Sequence, residues 1–171
     1  MPRAEPAAFE PQKPEFLKVA ERLYESDNEF LGRLQLRRLR EELARNDTVQ
    51  VRTLLAVELL EHGETDEAVR LIDEAWETAR RSEQLAPLRR GVLRVRGLAH
   101  LRQAEVQNCI ARHNADCCIF PLREGGVHSA AGPARAALES YTEFLRLEPG
   151  DLKSRWLLNL TGDRLHGCWP F

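Results

Sequence analysis

The densest group of reactive side chains lies in the stretch Asn108-Cys109-Ile110-Ala111-Arg112-His113-Asn114-Ala115-Asp116-Cys117-Cys118, with His128 ten residues beyond it. This segment together with His128 holds three of the four cysteines and two of the five histidines. Such side chains support three kinds of chemistry. A thiolate of lowered pKa, here at Cys117 or Cys118, is a nucleophile. Thiolates and imidazoles together hold zinc or copper. Two thiols in an oxidising compartment form a disulfide. The metal reading takes Cys109, His113, Cys118 and His128 as its donors, with Asp116 or Glu124 as a carboxylate substitute. Its spacing is unlike a zinc finger, because Cys109 and Cys118 stand nine apart rather than about two to four. Covalent c-type haem attachment is excluded, since no Cys-x-x-Cys-His occurs. The plainer reading makes Asn108, His113, Asn114 and His128 hydrogen-bonding side chains of an ordered loop, with no cofactor. His62, His100 and His166 stand apart from the group and are read as incidental.

No glycine-rich phosphate loop, His-Glu-x-x-His helix or Gly-x-Ser-x-Gly elbow is present, so no catalytic constellation is expected. Charged residues make up 30% of the chain and its net charge is −2, which gives no electrostatic reason to expect nucleic acid. No apolar run approaches the roughly 18 residues that span a bilayer. The opening Met1-Pro2-Arg3-Ala4-Glu5-Pro6 lacks the apolar region of a signal peptide. Arginine supplies 22 of the 25 basic residues, and seven fall between 80 and 102 against the single acid Glu83. That run reads as a solvated helix face. Its alternative use is a stripe holding an acidic peptide or phosphates, with Arg90 and Arg94 as candidate contacts.

The elements that must carry these groups are helical. Leu, Ala, Glu and Arg dominate after residue 14, β-branched runs are absent, and no proline occurs from 15 to 86. Residues 1–13, with three prolines, read as an extended tail, and 14–171 as one domain. Two apolar stripes are expected early, Phe16, Ala20, Leu23 and Tyr24, then Leu36, Leu39 and Leu43. The run Leu55-Ala56-x-x-Leu59-x-x-x-Gly63-x-x-x-x-Ala68-x-x-x-Ile72-x-x-Ala75 has tetratricopeptide (TPR) spacing. Small residues there let two antiparallel helices approach, Gly63 turns the chain, and Thr65 is placed to cap the second helix. A second unit opens at Gly97-x-x-His100-x-x-x-Ala104, with Ala104 at the turn position. It resumes at Ala137-x-x-x-Tyr141-x-x-Phe144, so about 105–131 reads as an insertion inside a hairpin. Pro149-Gly150-Asp151 ends one helix and caps the next, whose buried face is expected to hold Leu152, Trp156, Leu157 and Leu160. The expected fold is an all-α, TPR-like stack of helical hairpins.

Asn-Cys-x-x-x-His-Asn-x-x-x-Cys-Ile-Phe-Pro, then Gly-Val-His and Arg155-Trp156-Leu157-Leu158-Asn159, resembles the helical region preceding the propeller in bacterial FG-GAP/ASPIC-UnbV proteins, relatives of the cartilage acidic protein family. The likeness is specific from about Leu98 to Leu160. It implies an exported or periplasmic helical module, accessory to a larger assembly or to a propeller partner. In such a compartment Cys109 is expected to pair with Cys118, leaving Cys117 free. The function expected is a protein- or peptide-binding scaffold, with a metal- or cofactor-binding module as the alternative.

Overall fold

The computed structural model describes residues 14–26, 28, 32–117 and 123–166, and among these the secondary structure is helical with no strand. The chain forms two compact units, Met1–Arg38 and Leu39–Phe171. In the first, α1 (Pro14–Tyr24) is followed by a turn in which Ser26 Oγ donates to the Leu23 carbonyl at 2.7 Å. The Arg33 guanidinium lies 4.9 Å from the centroid of the Tyr24 ring. The expected α1 stripe is not a buried one: Phe16 is 60% exposed and Tyr24 is also exposed. Helix α2 (Leu34–Arg45) runs across the boundary between the units, with Leu36 and Leu39 buried and Leu43 half-buried.

The second unit holds α3 (Val49–Glu61), α4 (Thr65–Arg81), α5 (Ala86–Glu105), α6 (Gly132–Leu147) and α7 (Leu152–His166). Each packs on its successor, and α3 also meets α5. Helix α3 starts where Thr48 accepts the Val51 N–H. It ends in a left-handed turn at Gly63, φ +78°. There the Glu64 N–H reaches the Leu59 carbonyl at 2.8 Å and the Gly63 N–H reaches Leu60. This pair of bonds is a Schellman stop, and glycine takes its φ without a Cβ penalty. Leu55, Ala56, Leu59, Ala68, Ile72 and Ala75 are all buried, as their spacing predicts. Thr65 does not cap α4. The tight turn carries the chain directly into the helix, Thr65 becomes its first residue, and the Glu64 carboxylate, instead of capping it, pairs with Arg40 at 2.7 Å.

Helix α5 passes Ala104 without turning, ends at Glu105, and widens into a π turn, Val106–Ile110. Ala104 is fully buried inside the helix, so its small side chain serves packing rather than a turn. Gly97 matters for close approach: a Cβ there would stand 2.7 Å from the buried Tyr141 ring of α6. Tyr141, Ala137 and Leu101 form a core cluster on which Leu157, Leu158 and Leu160 pack. Asp151 caps α7, accepting the Ser154 N–H at 2.7 Å. The buried face of α7 matches the expected one at Leu157 and Leu160 and departs from it elsewhere. Leu152 and Trp156 are 74% and 63% exposed, whereas Ser154, Thr161, Gly162 and Arg164 turn inward. Small side chains on that face permit close packing against the preceding helix, and the rotation carries Arg164 into the interior. Among the described residues no helix is long and apolar enough to cross a membrane.

Candidate functional site

Two places concentrate chemistry in the second unit. The first is the end of α5. The π turn closes with the Ala111 N–H on the Val106 carbonyl at 3.0 Å, and it directs both Asn108 and Cys109 toward the 127–130 segment. Asn108 is buried and acts as a two-sided clamp. Its Oδ1 accepts the Ala130 N–H at 2.9 Å, while Nδ2 donates to the Ala104 and Ala130 carbonyls. Asn114 works similarly nearer the surface, donating to the Gly125 carbonyl at 2.9 Å and accepting the Asp116 N–H. The segment between α5 and α6 is thus tied by amide side chains.

Cys109 Sγ lies 3.4 Å from His128 Nε2, and Arg164 stands against both, with Nη1 3.3 Å from each. The other Arg164 nitrogen donates to Glu105 Oε1 at 2.7 Å, and the Arg164 carbonyl accepts the His128 backbone N–H at 2.8 Å. A guanidinium only donates, so Nε2 is the acceptor and the ring proton sits on the buried Nδ1, which has no partner. Burial, reinforced by the Arg164 charge, depresses the His128 pKa to about 4. Burial likewise pushes the Cys109 thiol up, against the opposing pull of Arg164. Near neutrality the pair is therefore a thiol and a neutral imidazole rather than a thiolate–imidazolium nucleophile.

This geometry bears on two expectations. Cys109 and the buried Cys117 are free thiols, and the Cys109–Cys118 disulfide has a partner, Cys118, outside the described residues. The ties expected of a disulfide are made instead by Asn108 and Arg164. For the Zn or Cu alternative, Cys109 and His128 meet among the three described donors, while His113 is exposed and so are Asp116 and Glu124; the fourth donor, Cys118, lies outside the described residues. No three acidic, Cys or His side chains form a metal-sized group among the described residues. A guanidinium between thiol and imidazole also puts a fixed positive charge where a cation would bind.

The second place is a groove of about 390 Å³ between α3 and α5, floored by Val49, Leu54, Leu88 and Val92. Gly91 lies in its wall, and a Cβ at that position meets nothing within 4 Å. Arg90 and Gly91 are shared with an adjoining hollow of about 330 Å³, which also takes in Arg94, Phe144, Glu148 and Asp151. Both arginines singled out in the sequence thus line concave surface. Their neighbours in the arginine run are neutralised: Arg80 and Arg81 by Glu77, Arg89 by Glu83, Arg96 by Asp73 and Arg102 by Glu105.

No family model matches the chain, and no curated protein or solved structure matches it.

Sequence reasoning missed Arg164 and Glu105, which look like ordinary surface charges of helices. It also set His100 aside, although His100 and Arg96 both bind Asp73 Oδ1, at 3.0 and 2.6 Å, and Arg96 reaches Ser140 on α6. That network clamps α4, α5 and α6 together. Gly91 carried a readable signal: a glycine inside a long helix, outside the small-residue positions of the repeat, is costly unless open space is needed there.

Proposed function

We propose that the chain is a TPR-like, helical-repeat protein-binding module whose receptor surface is the groove between α3 and α5. The groove is the observation that carries the reading. It is concave, apolar at its floor, charged at its edge, and lies on the first helices of the two hairpins α3–α4 and α5–α6. First helices that contact each other, as α3 and α5 do, line the inner surface of a helical-repeat stack. On this reading residues 106–131 are an insertion within the second hairpin. The likeness to the helical region of FG-GAP/ASPIC-UnbV proteins supports the same role, accessory to a larger assembly or a propeller partner in an exported setting. The Cys109–His128–Arg164 cluster then serves to hold the insertion against α7.

The test is occlusion of the groove. A display library of random dodecapeptides is panned on the full chain, and the enriched peptides are measured against Gly91→Trp by fluorescence polarisation. The indole enters open space, so helicity and melting temperature should be kept. Peptides should lose at least roughly tenfold in affinity. Enriched peptides that bind wild type and Gly91→Trp equally would remove the groove from the function.

A further inference from the structure

The hollow beside the groove contains two arginines and two carboxylates, and three of these four are already engaged. Glu148 accepts from Arg90 at 2.5 Å. Asp151 is held by the Ser154 backbone N–H at the start of α7. Arg94 is exposed and makes no ion pair among the described residues, unlike every other arginine from 80 to 102. It stands one helical turn beyond Arg90, about 6 Å along the α5 axis. Arg90 and Gly91 line both the groove and the hollow, so the apolar floor and Arg94 adjoin along α5.

Resting on the peptide-binding reading above, we propose that the groove selects a segment with an apolar side chain on the α3–α5 floor and a carboxylate two residues away on Arg94. The spacing follows from dimensions: an extended chain advances about 3.3 Å per residue, so two residues cover the turn between the floor and Arg94. The apolar lining at Val49, Leu54, Leu88 and Val92 fits a Leu, Ile or Phe side chain. Arg94 supplies the planar, two-pronged donor that a carboxylate matches. Arg90 engages Glu148, and Asp151, whose carboxylate also feels the Arg94 charge, is held by the Ser154 N–H. The partner is therefore an apolar–x–acidic segment of another protein, rather than a basic or uncharged one.

The enriched dodecapeptides supply the probe. Leu, Ile or Phe followed two positions later by Asp or Glu should predominate among them. Arg94→Glu should weaken such a peptide by roughly tenfold or more, and replacing its acid with Lys should restore binding to the variant. That charge exchange would not follow from a merely structural role for Arg94, which is exposed. Raising salt should weaken the wild-type complex, because the ion pair lies at the groove edge. If enriched peptides are displaced by Gly91→Trp yet show no acidic preference and bind Arg94→Glu unchanged, the acid-recognition proposal is wrong and the groove still stands. If Gly91→Trp displaces none of them, the groove reading itself fails, and this inference with it.

Discussion

His128 is the residue whose environment most alters its chemistry. It is 4% exposed, faces the Arg164 guanidinium and the Cys109 thiol, and has Glu105 beyond the guanidinium. The folded protein keeps the imidazole neutral until about pH 4, whereas the ordinary value is 6.5. The unfolded chain therefore takes up the proton first as pH falls. Stability present above pH 6.5 drains away down to about pH 4, by roughly 3 kcal/mol for this group. Urea unfolding at pH 7.5 and pH 4.5 should show this loss, and His128→Asn should flatten that part of the dependence. An unchanged slope in the variant would place the acid sensitivity elsewhere. Asn108 offers a separate test. Its amide satisfies both backbone groups of Ala130, so Asn108→Ala should cost about 1–3 kcal/mol, read by denaturant midpoint.

At the scale of the element, the two interior glycines of α5 have opposite reasons for being glycine. Gly97 sits under the Tyr141 ring, and Gly97→Ala should destabilise by roughly 1–3 kcal/mol as the ring is forced aside. Gly91 meets nothing, so Gly91→Ala should stabilise the helix by about 0.5–1 kcal/mol. Thermal unfolding of the two variants should give shifts of opposite sign, and a shared sign would contradict the packing of α5 on α6. The α3–α4 hairpin allows a similar comparison. Ala68 is fully buried, and Ala68→Leu should overpack it by roughly 1–3 kcal/mol. Arg70 is an exposed partner of Glu74, and its replacement by Ala should change stability by less than about 0.5 kcal/mol.

Over the whole molecule, packing is uneven. Helix α5 is embraced by α3, α4 and α6, and its Arg96 and His100 join the Asp73 network. Helix α1 exposes Phe16, Leu17, Val19 and Tyr24. Hydrogen exchange followed by mass spectrometry should therefore find the slowest amides in α5 and the fastest in α1. Equal protection in both would mean that the α1 face is covered in solution. Elemental analysis provides a further check. Purified protein should carry no stoichiometric zinc or copper, and a chelator should leave the melting temperature unchanged, because the Arg164 cation stands against both Cys109 and His128.

The helical elements could be read from the chain alone because their causes are local. Apolar and small residues recurring every three to four positions place Leu55, Ala56, Leu59, Ala68, Ile72 and Ala75 on buried faces, and all are buried. Gly63 marked its turn for the same reason, since a left-handed residue excludes most side chains wherever it occurs. The arginines at 90 and 94 could be named from their charge, but the groove beside them could not. It joins Val49 and Leu54 to residues 87–92 of another helix, and the angle at which two helices meet is not written in either one's periodicity. Helix α7 shows the limit most clearly. Of its expected inward residues Leu157 and Leu160 do pack on the core, but Leu152 and Trp156 are exposed, and Ser154, Thr161 and Arg164 are buried in their stead. Only that rotation brings a guanidinium 55 residues along the chain to Cys109, and makes a thiol, an imidazole and a cation one site.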